Sequence, residues 1–154
     1  MSAKAIPEGF HTVTPSLLVN GAAEAIALYQ KAFGAKEEYR LNTPNGKIGH
    51  ACITIGDSKV FLSDADPETC GASNAVPSVS CFYLYFKDAD AQIEQAKNAG
   101  MNELFPAQDM FWGDRMGSLV DKFGIRWTVA THVRDVAPQE IEKGMKEMYS
   151  KKAA

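Results

Sequence analysis

This sequence of 154 residues has few cysteines, no long apolar run and only a small excess of acidic over basic residues. Its cysteines, Cys52, Cys70 and Cys81, form no CxxC pair, and an odd, scattered count argues against a disulfide framework. A formal net charge of −3 indicates no basic surface for nucleic acid. No apolar segment approaches the roughly 20 residues that span a bilayer, and the first residues lack the apolar core of a secretory signal. We therefore expect a cytoplasmic protein that binds neither nucleic acid nor a membrane.

Several motifs that identify enzymes are also absent. No glycine-rich phosphate loop follows a predicted strand, and neither HExxH nor GxSxG occurs. Cys52 and Cys81 lie in strand-like runs and are predicted to be buried, inert thiols, whereas Cys70 lies in a segment rich in Gly, Ser and Asn. No neighbouring His can activate a cysteine nucleophile. The sequence by itself assigns no catalytic residue.

What the sequence does contain is an internal duplication. Each half has an extended run, then a helical run with apolar residues three and four positions apart, then a glycine that ends the helix. The two glycines differ by 100 − 34 = 66 positions. The segments are Thr12–Val19, Ala22–Phe33 and Gly34 in the first half, and Val79–Phe86, Asp88–Ala99 and Gly100 in the second.

Three further extended segments follow each helix, so each half is predicted to fold as β–α–β–β–β. We predict an α+β fold, with one domain over residues 1–136 and two modules at about 12–65 and 78–133. Residues 66–77 link the modules, and Asn20 and Asp88 are the predicted helix N-caps. The predicted strands are 36–42, 47–55 and 59–63 in the first half, and 102–107, 116–120 and 125–131 in the second.

Residues 137–154 are predicted to form a C-terminal helix and tail, with Pro138 at the first helical position. Ile141, Met145 and Met148 make a narrow apolar stripe on an otherwise charged helix. Two interpretations remain open: this stripe docks on the chain's own sheet, or it contacts a second subunit.

His50 is the first candidate site residue. Strand alternation places it on one face with Ile48, Cys52 and Thr54, where it can be a ligand contact or a hydrogen-bonded structural residue. His11 precedes the first strand and His132 follows the last, and both are predicted to be exposed or structural.

The segment Gln108–Arg115 is the most unusual in the chain, because it combines aromatic, acidic and basic side chains in a short stretch. One interpretation is a binding pocket, in which Trp112 offers an apolar face and Arg115 clamps an anion. The alternative is an internal ion pair of Arg115 with Asp109 or Asp121, with Trp112 plugging the sheet.

The duplicated order and several local motifs together resemble the vicinal oxygen chelate superfamily, and more narrowly its PhnB-like branch of glyoxalase/bleomycin-resistance/dioxygenase proteins. The resemblance covers Val13–Val136. It implies two tandem βαβββ modules that form a cupped mixed β-sheet, usually in a homodimer. The motifs are Ala23–Gly34, Gly49-His50, Leu62-Ser-Asp64, Phe111-Trp-Gly-Asp-Arg115 and Asp121-Lys-Phe-Gly-Ile-Arg-Trp127.

The resemblance also implies a divalent metal held by His, Gln or Glu on the first and last strands of each module. Neutral hydroxyl and apolar groups at those positions do not make a strong divalent site. We therefore expect no metal or other cofactor, although a relocated site that uses His50 with Asp64 or Asp109 stays open. The matching positions are Thr14, Leu62, Ser80 and Thr128, and a shift of one residue admits Val13, Phe61, Ser63, Val79 or Cys81.

The last turn departs from the branch's usual Asp-Pro-Phe-Gly-His, because here it is Asp121-Lys-Phe-Gly-Ile125. Proteins of this branch are often labelled methyltransferases, but no nucleotide loop supports that activity here.

The favoured hypothesis is a metal-independent protein that binds a small molecule. The alternatives are a metal-dependent lyase, isomerase or dioxygenase with a relocated site, and a structural or regulatory module whose cup is filled by Phe82, Leu84 and Trp112. The candidate ligand-binding residues are His50, Ser80, Phe82, Asp109, Trp112, Arg115 and Thr128.

Overall fold

Two β–α–β–β–β repeats and a C-terminal helix make up the part of the chain that this computed structural model describes, residues 5–12, 14–65 and 81–153. The α+β fold of two tandem modules is therefore confirmed. The strands are β1 Ser16–Val19, β2 Lys36–Asn42, β3 Ile48–Ile55, β4 Ser58–Asp64, β5 Cys81–Tyr85, β6 Asn102–Asp109, β7 Asp114–Val120 and β8 Arg126–His132. The helices are α1 Ala22–Phe33, α2 Ala89–Asn98 and α3 Pro138–Ala153.

These elements form two compact units. The first unit contains β1–β4 with α1, and the second contains β5–β8, almost all of α2, and α3. The grouping of both modules into one domain over residues 1–136 stays a prediction. The predicted link 66–77, with Cys70, and the candidate residue Ser80 lie outside the described residues.

The sheet of the first unit has the strand order β1-β4-β3-β2, with β1 and β4 parallel and the other pairs antiparallel. The predicted stripe of α1 is buried, and it packs on the sheet face that carries Leu17, Ala51 and Leu62. Burial of these apolar side chains is the main favourable term for the packing. His50 and Phe61 lie on the other face of the sheet, opposite α1.

The second sheet repeats this arrangement with the order β5-β8-β7-β6. Its helix α2 buries Ala89, Ile93 and Ala96, as the spacing predicts. Helix and sheet approach closely at Gly117, where a Cβ atom would lie 2.7 Å from Ile93 Cδ1. Alternation therefore places the odd-numbered residues 115, 117 and 119 of β7 toward α2, and the even-numbered residues 114, 116 and 118 on the face opposite α2.

Each of these two helices is capped from the end of the module's last strand. Asp64 Oδ1 accepts hydrogen bonds from the backbone N–H groups of Gly21 (3.1 Å) and Ala22 (2.8 Å). Thr131 Oγ1 accepts one from Ala89 N–H at 2.8 Å. The prediction of Asn20 as N-cap is wrong, because Gly21, with φ 97°, occupies that position and Asp64 supplies the acceptor.

The predicted cap of α2 is present as well. Asp88 Oδ1 accepts a hydrogen bond from Ala91 N–H at 3.0 Å, three positions along the chain. The first turn of α2 thus has two acceptors, one local and one from β8.

Helix α3 contacts its own unit at Gly144. A Cβ atom there would lie 2.5 Å from the Phe111 ring, so only glycine allows this approach. Ile141 and Met148 are half-buried and Met145 is exposed. The interpretation that α3 docks within the chain therefore has a contact that supports it. Within the described residues, no helix is long and apolar enough to cross a bilayer.

Candidate functional site

A cluster of ionisable side chains surrounds Asp114 on the face of the second sheet opposite α2. The Asp114 side chain is buried, with 3% of the residue exposed. Its Oδ2 accepts hydrogen bonds from the hydroxyls of Tyr83 (2.8 Å) and Tyr85 (2.9 Å), which we call the tyrosine pair. Its Oδ1 lies 2.8 Å from His132 Nδ1, and His132 Nε2 lies 3.0 Å from Asp135 Oδ1. We call these five residues the Asp114 cluster.

The hydrogen bonds of the cluster determine its charge. Burial alone would raise the pKa of Asp114, but hydrogen bonds from His132 and the tyrosine pair outweigh it and hold the pKa below its ordinary value. The carboxylates of Asp135 and Asp114 raise the pKa of His132. Burial, then the hydrogen bond to Asp114, raises the pKa of Tyr83 and of Tyr85. Near neutral pH the cluster contains an ionised Asp114, neutral tyrosines and an imidazole with an increased preference for its proton.

The strands bring these side chains together through register. Tyr83 and Tyr85 are two positions apart on β5, so they share a face, and their ring centroids are 5.2 Å apart. The β7–β8 hairpin pairs Asp114 directly with His132. Beyond the hairpin, the N–H groups of Val133 and Arg134 both donate to Gly113 O, which turns the chain back toward β7 and brings Asp135 to His132.

Trp112 lies near the cluster. It lowers the pKa of Tyr83, against the larger effects of burial and of the hydrogen bond to Asp114. The Trp112 ring also packs edge-on against Phe111, with centroids 4.9 Å apart. The candidate residue Trp112 is therefore close to Tyr83, one of the tyrosine pair.

Arg115 and Asp109 lie on the opposite side of the sheet, toward α2. Arg115 makes a bidentate ion pair with Asp90 of that helix, with Nε–Oδ2 2.6 Å and Nη2–Oδ1 2.8 Å. Arg115 Nη1 also donates to Asp109 at 3.2 Å. The sequence suggested two roles for Arg115, either binding an anionic ligand or forming an internal ion pair with Asp109 or Asp121. The contact with Asp109 is such an internal ion pair. Asp121, the other predicted partner, instead accepts from Trp127 Nε1 at 2.9 Å.

Thr128 and Phe82 lie on opposite faces of the second sheet, because successive side chains along a strand alternate between the two faces. Thr128 is buried on the face opposite α2, where its hydroxyl lies 2.9 Å from Ser118 Oγ and 3.5 Å from Cys81 Sγ. Phe82 faces α2, and its ring centroid lies 5.2 Å from that of Trp127. Thr128 therefore shares a face with the Asp114 cluster, whereas Phe82 does not. Cys81, predicted to be buried, is exposed, whereas Cys52 is buried as predicted.

His50 belongs to an aromatic row on the first unit. Its Nε2 lies 3.1 Å from the Tyr39 hydroxyl, and its ring packs edge-on against Phe61 at 4.6 Å. Phe61 in turn contacts Phe10 at 5.7 Å. His50 thus has a hydrogen-bond partner and ring contacts, and it is half-buried.

A cavity of about 240 Å3 also lies in the first unit. Ligand pockets usually start near ~300 Å3, so this cavity is smaller than that range. It is lined by His11, Thr14, Pro15, Ser58 and Lys59.

The divalent metal that the family resemblance implies does not fit these residues. Leu62 faces α1, whereas Phe61 faces the other side of the sheet and occupies the position in β4 that matches Thr128 in β8. Neither Leu62 nor Phe61 offers a strong metal ligand. A relocated site with Asp64 is opposed by its hydrogen bonds, because its two oxygens accept from the backbone N–H groups of Gly21, Ala22 and Ile48. In the described ranges no group of three or more His, Cys, Asp and Glu residues is arranged to hold a metal ion.

Sequence reasoning missed Asp114, His132 and the tyrosine pair as site residues. The spacing of Tyr83 and Tyr85 in a predicted strand was a usable signal, because alternation gives them one face. The hairpin register was a second signal, since it places Asp114 opposite His132.

Comparison with known proteins assigns this architecture to a family. A family model described as the Glyoxalase/Bleomycin resistance protein/Dioxygenase superfamily matches residues 9–129. The chain belongs to this superfamily, which confirms the resemblance drawn from its motifs.

Three relatives show how far the similarity extends. An uncharacterized protein of Mycobacterium tuberculosis is 37% identical over 138 residues, covering 86% of this chain and 81% of that protein. A solved structure from Pseudomonas aeruginosa is 26% identical, with a TM-score of 0.64 over 80% of this chain and 99% of that chain. A PhnB protein from Bacillus cereus has a TM-score of 0.60 at 17% identity, covering 79% of this chain and 99% of that chain. The last likeness concerns the fold alone.

Proposed function

We propose that this member of the superfamily binds a small planar molecule against the tyrosine pair, without a divalent metal. The observation that carries this proposal is the way Asp114 holds the two hydroxyls. Because both hydroxyls donate to one buried carboxylate, the rings are fixed in place while 42% of Tyr83 and 63% of Tyr85 remain exposed. Ionisable groups with shifted pKa values cluster at functional sites, and here they lie beside a fixed, exposed aromatic surface that supports binding.

The chemistry of the cluster favours a ligand with a flat aromatic face. Tyrosine rings bind such a face by offset or edge-on packing, with little loss of side-chain freedom because Asp114 already fixes them. The imidazole of His132 binds the same Asp114 carboxylate as the tyrosine hydroxyls, and it can donate or accept one hydrogen bond at Nε2 once Asp135 moves away. Carboxylate, imidazole and phenol groups thus supply polar contacts around an apolar surface.

The test is a thermal-shift screen of planar aromatic compounds in the presence of a chelator. A ligand at 100 times its Kd stabilises the native state by about 2.7 kcal/mol. At roughly 2–4 °C per kcal/mol for a chain of this size, the melting temperature rises by about 5–10 °C. We expect this shift to survive chelation.

Two matched variants locate the site. Tyr85→Ala removes a site ring, and Tyr149→Ala removes an equally exposed ring of α3, with 63% and 61% exposure respectively. The ligand-induced shift should disappear in Tyr85→Ala and remain in Tyr149→Ala. A shift that requires added divalent metal, or one that Tyr85→Ala retains, contradicts the proposal.

The proposal includes a homodimer and a cytoplasmic location, both drawn from the family resemblance and the sequence. Sedimentation equilibrium at micromolar concentration measures the mass of the assembly. A monomer under those conditions contradicts the dimer without affecting the ligand proposal. Fractionation of expressing cells tests the location independently.

A further inference from the structure

We propose that Asp114 and His132 form a general acid–base dyad, in which His132 Nε2 takes a proton from a planar aromatic substrate bound against the tyrosine pair. This inference rests on the proposed function and extends it from binding to reaction. The substrates it fits are aromatic carbon acids, which carry an acidic C–H hydrogen on or beside the ring. His132 is the catalytic residue, and Asp114 is a positioning residue.

The geometry around Asp114 determines which nitrogen carries the proton. An ionised carboxylate only accepts hydrogen bonds, so the 2.8 Å contact requires a proton on His132 Nδ1. In the neutral imidazole, Nε2 then carries the lone pair. Because Asp114 is buried and also accepts from the tyrosine pair, it can hold the ring in one orientation. The imidazole itself is accessible, since 51% of the His132 side chain is exposed.

Asp135 controls access to Nε2. Its side chain is fully exposed and lies 3.0 Å from Nε2, so it accepts the second N–H of a protonated imidazole. When His132 loses that proton, its lone pair faces a carboxylate, and the exposed Asp135 side chain is free to turn away. A substrate hydrogen can then take its place at Nε2.

The groups that face His132 come from three directions. Asp114 lies on β7, the tyrosine pair reaches Asp114 from β5, and Asp135 follows β8. Both carboxylates favour the protonated imidazole, and the neutral phenols add no charge. The base form therefore becomes available at a higher pH than for an isolated histidine, whose pKa is about 6.5.

A simple probe of this dyad is 5-nitrobenzisoxazole, a planar carbon acid. The Nε2 lone pair bonds to the ring C–H hydrogen, and the C–H electron pair forms the third bond of a nitrile. The ring N–O bond breaks at the same time, and its electron pair leaves as a coloured phenolate. The imidazolium then returns its proton to water, so the step needs no metal, oxidant or cofactor.

The experiment measures kcat/KM for this elimination from pH 5 to 10 in the full-length wild type and in four variants. General base catalysis contributes roughly 100-fold or more. His132→Gln should therefore lose at least about tenfold at high pH, where the wild type is fastest. His11→Gln, which removes an exposed histidine of the first unit, should match the wild type. The wild-type profile should rise with an inflection above about 6.5.

The two carboxylate variants should act in opposite directions. In Asp114→Asn the amide oxygen must accept from the tyrosine pair, so the NH2 group faces Nδ1 and moves the proton to Nε2. That variant should lose activity across the whole pH range. Asp135→Asn removes only the outer carboxylate, so its inflection should shift to lower pH and its rate below neutral pH should rise.

Two results overturn the dyad: His132→Gln with the wild-type rate, or Asp135→Asn with an unmoved inflection. Should Asp114→Asn fail to fold, these two variants still decide the question. A thermal shift with the reaction product, 2-cyano-4-nitrophenol, separates binding from reaction. If the product stabilises wild type but not Tyr85→Ala while no turnover occurs, only the dyad fails. If Tyr85→Ala retains that stabilisation, the proposed binding function fails instead.

Discussion

Asp64 is the residue whose removal tests the packing of the first module most directly. Its carboxylate accepts three backbone N–H groups: Gly21 at 3.1 Å and Ala22 at 2.8 Å through Oδ1, and Ile48 at 2.7 Å through Oδ2. One residue at the end of β4 thus joins the start of α1 to the start of β3. Replacing it with alanine leaves all three donors without this acceptor.

The expected loss can be worked out from these bonds. Loss of a helix N-cap costs about 0.5–2 kcal/mol, and a hydrogen bond to a charged group contributes about 1.5–3 kcal/mol. Water can reach part of this half-buried site, so we expect Asp64→Ala to lower the free energy of unfolding by about 2–4 kcal/mol. At roughly 2–4 °C per kcal/mol, this corresponds to a fall in Tm of about 4–16 °C.

Urea denaturation followed by circular dichroism measures the change, and two variants serve as controls. Asp57→Ala removes an exposed carboxylate that accepts a hydrogen bond from the Ser58 hydroxyl, and its effect should be small. Thr131→Ala removes the matching cap of α2, a neutral acceptor for one N–H, and should cost about 1 kcal/mol. An Asp64→Ala protein within about 0.5 kcal/mol of Asp57→Ala would refute the assigned role.

The charge of Asp64 adds an acid-dependent test. Burial alone would raise the pKa of Asp64, but the N–H groups of Ala22, Ile48 and Gly21 outweigh it and lower the pKa below its ordinary value. A lowered folded-state pKa stabilises the protein above the unfolded-state value of about 3.9, and this contribution disappears as the pH falls through the folded-state pKa. The stability difference between wild type and Asp64→Asn should therefore shrink in acid, and a difference that grows there contradicts the reasoning.

Two further predictions concern the second unit. Gly144→Ala should destabilise the wild type because its Cβ would lie 2.5 Å from the Phe111 ring, yet it should stabilise a Phe111→Ala background by up to about 1 kcal/mol through helix propensity. Thermal denaturation of all four proteins measures this, and equal effects in both backgrounds contradict the α3 contact. His132→Gln should destabilise the protein below about pH 6.5, because the raised pKa of His132 stabilises the folded state there and that contribution is lost as the pH rises through the folded-state pKa. Urea midpoints of wild type and His132→Gln should converge by about pH 9, and a constant difference from pH 5 to 9 contradicts the cluster's charge assignment.

Much of the fold could be predicted because the spacing of apolar residues along a helix or strand indicates which face is buried. The stripes of α1 and α2 are buried as their spacing requires, and strand β2 has its predicted bounds. The N-cap of α1 could not be predicted from its neighbours, because the acceptor is Asp64, more than 40 positions away. Local sequence indicates a helix start, but it does not identify a distant side chain that satisfies the helix N–H groups.

The site was harder to predict because residues adjacent in sequence lie on different faces. Arg115 was chosen for its charge, but alternation turns it toward Asp90 of α2 and turns Asp114 the other way. The turn after Val120 sets the pairing register of β7 with β8, and that register places Asp114 opposite His132. If Val120 pairs with Arg126, then residues whose numbers sum to 120 + 126 = 246 face each other, and 114 + 132 = 246. The predicted strands 116–120 and 125–131 end short of Asp114 and His132, so the pair follows only when the observed register is extended beyond those bounds. The hairpin also does not supply Tyr83 and Tyr85, which lie on another strand.

The duplication shows that Asp114, His132 and the tyrosine pair occur in one copy only. The helix caps correspond between modules, because 131 − 64 = 67 and 89 − 22 = 67. The same offset matches the tyrosine pair with Ser16 and Leu18, and matches His132 with Ala65. In the β3 and β7 strands the offset is 117 − 51 = 66, which matches Asp114 with Ile48.

None of these four counterparts can carry a charge or offer an aromatic ring. A group needed only to hold the fold would be expected in both copies, as the caps are, because the two sheets have the same strand order and the same helix packing. The second copy buries a carboxylate and satisfies it with three long-range side chains, while the first copy reaches the same architecture with an isoleucine at that position. Since burying a charge is unfavourable unless it is fully paired, the cluster is better explained by a function of the second sheet than by the stability of the module.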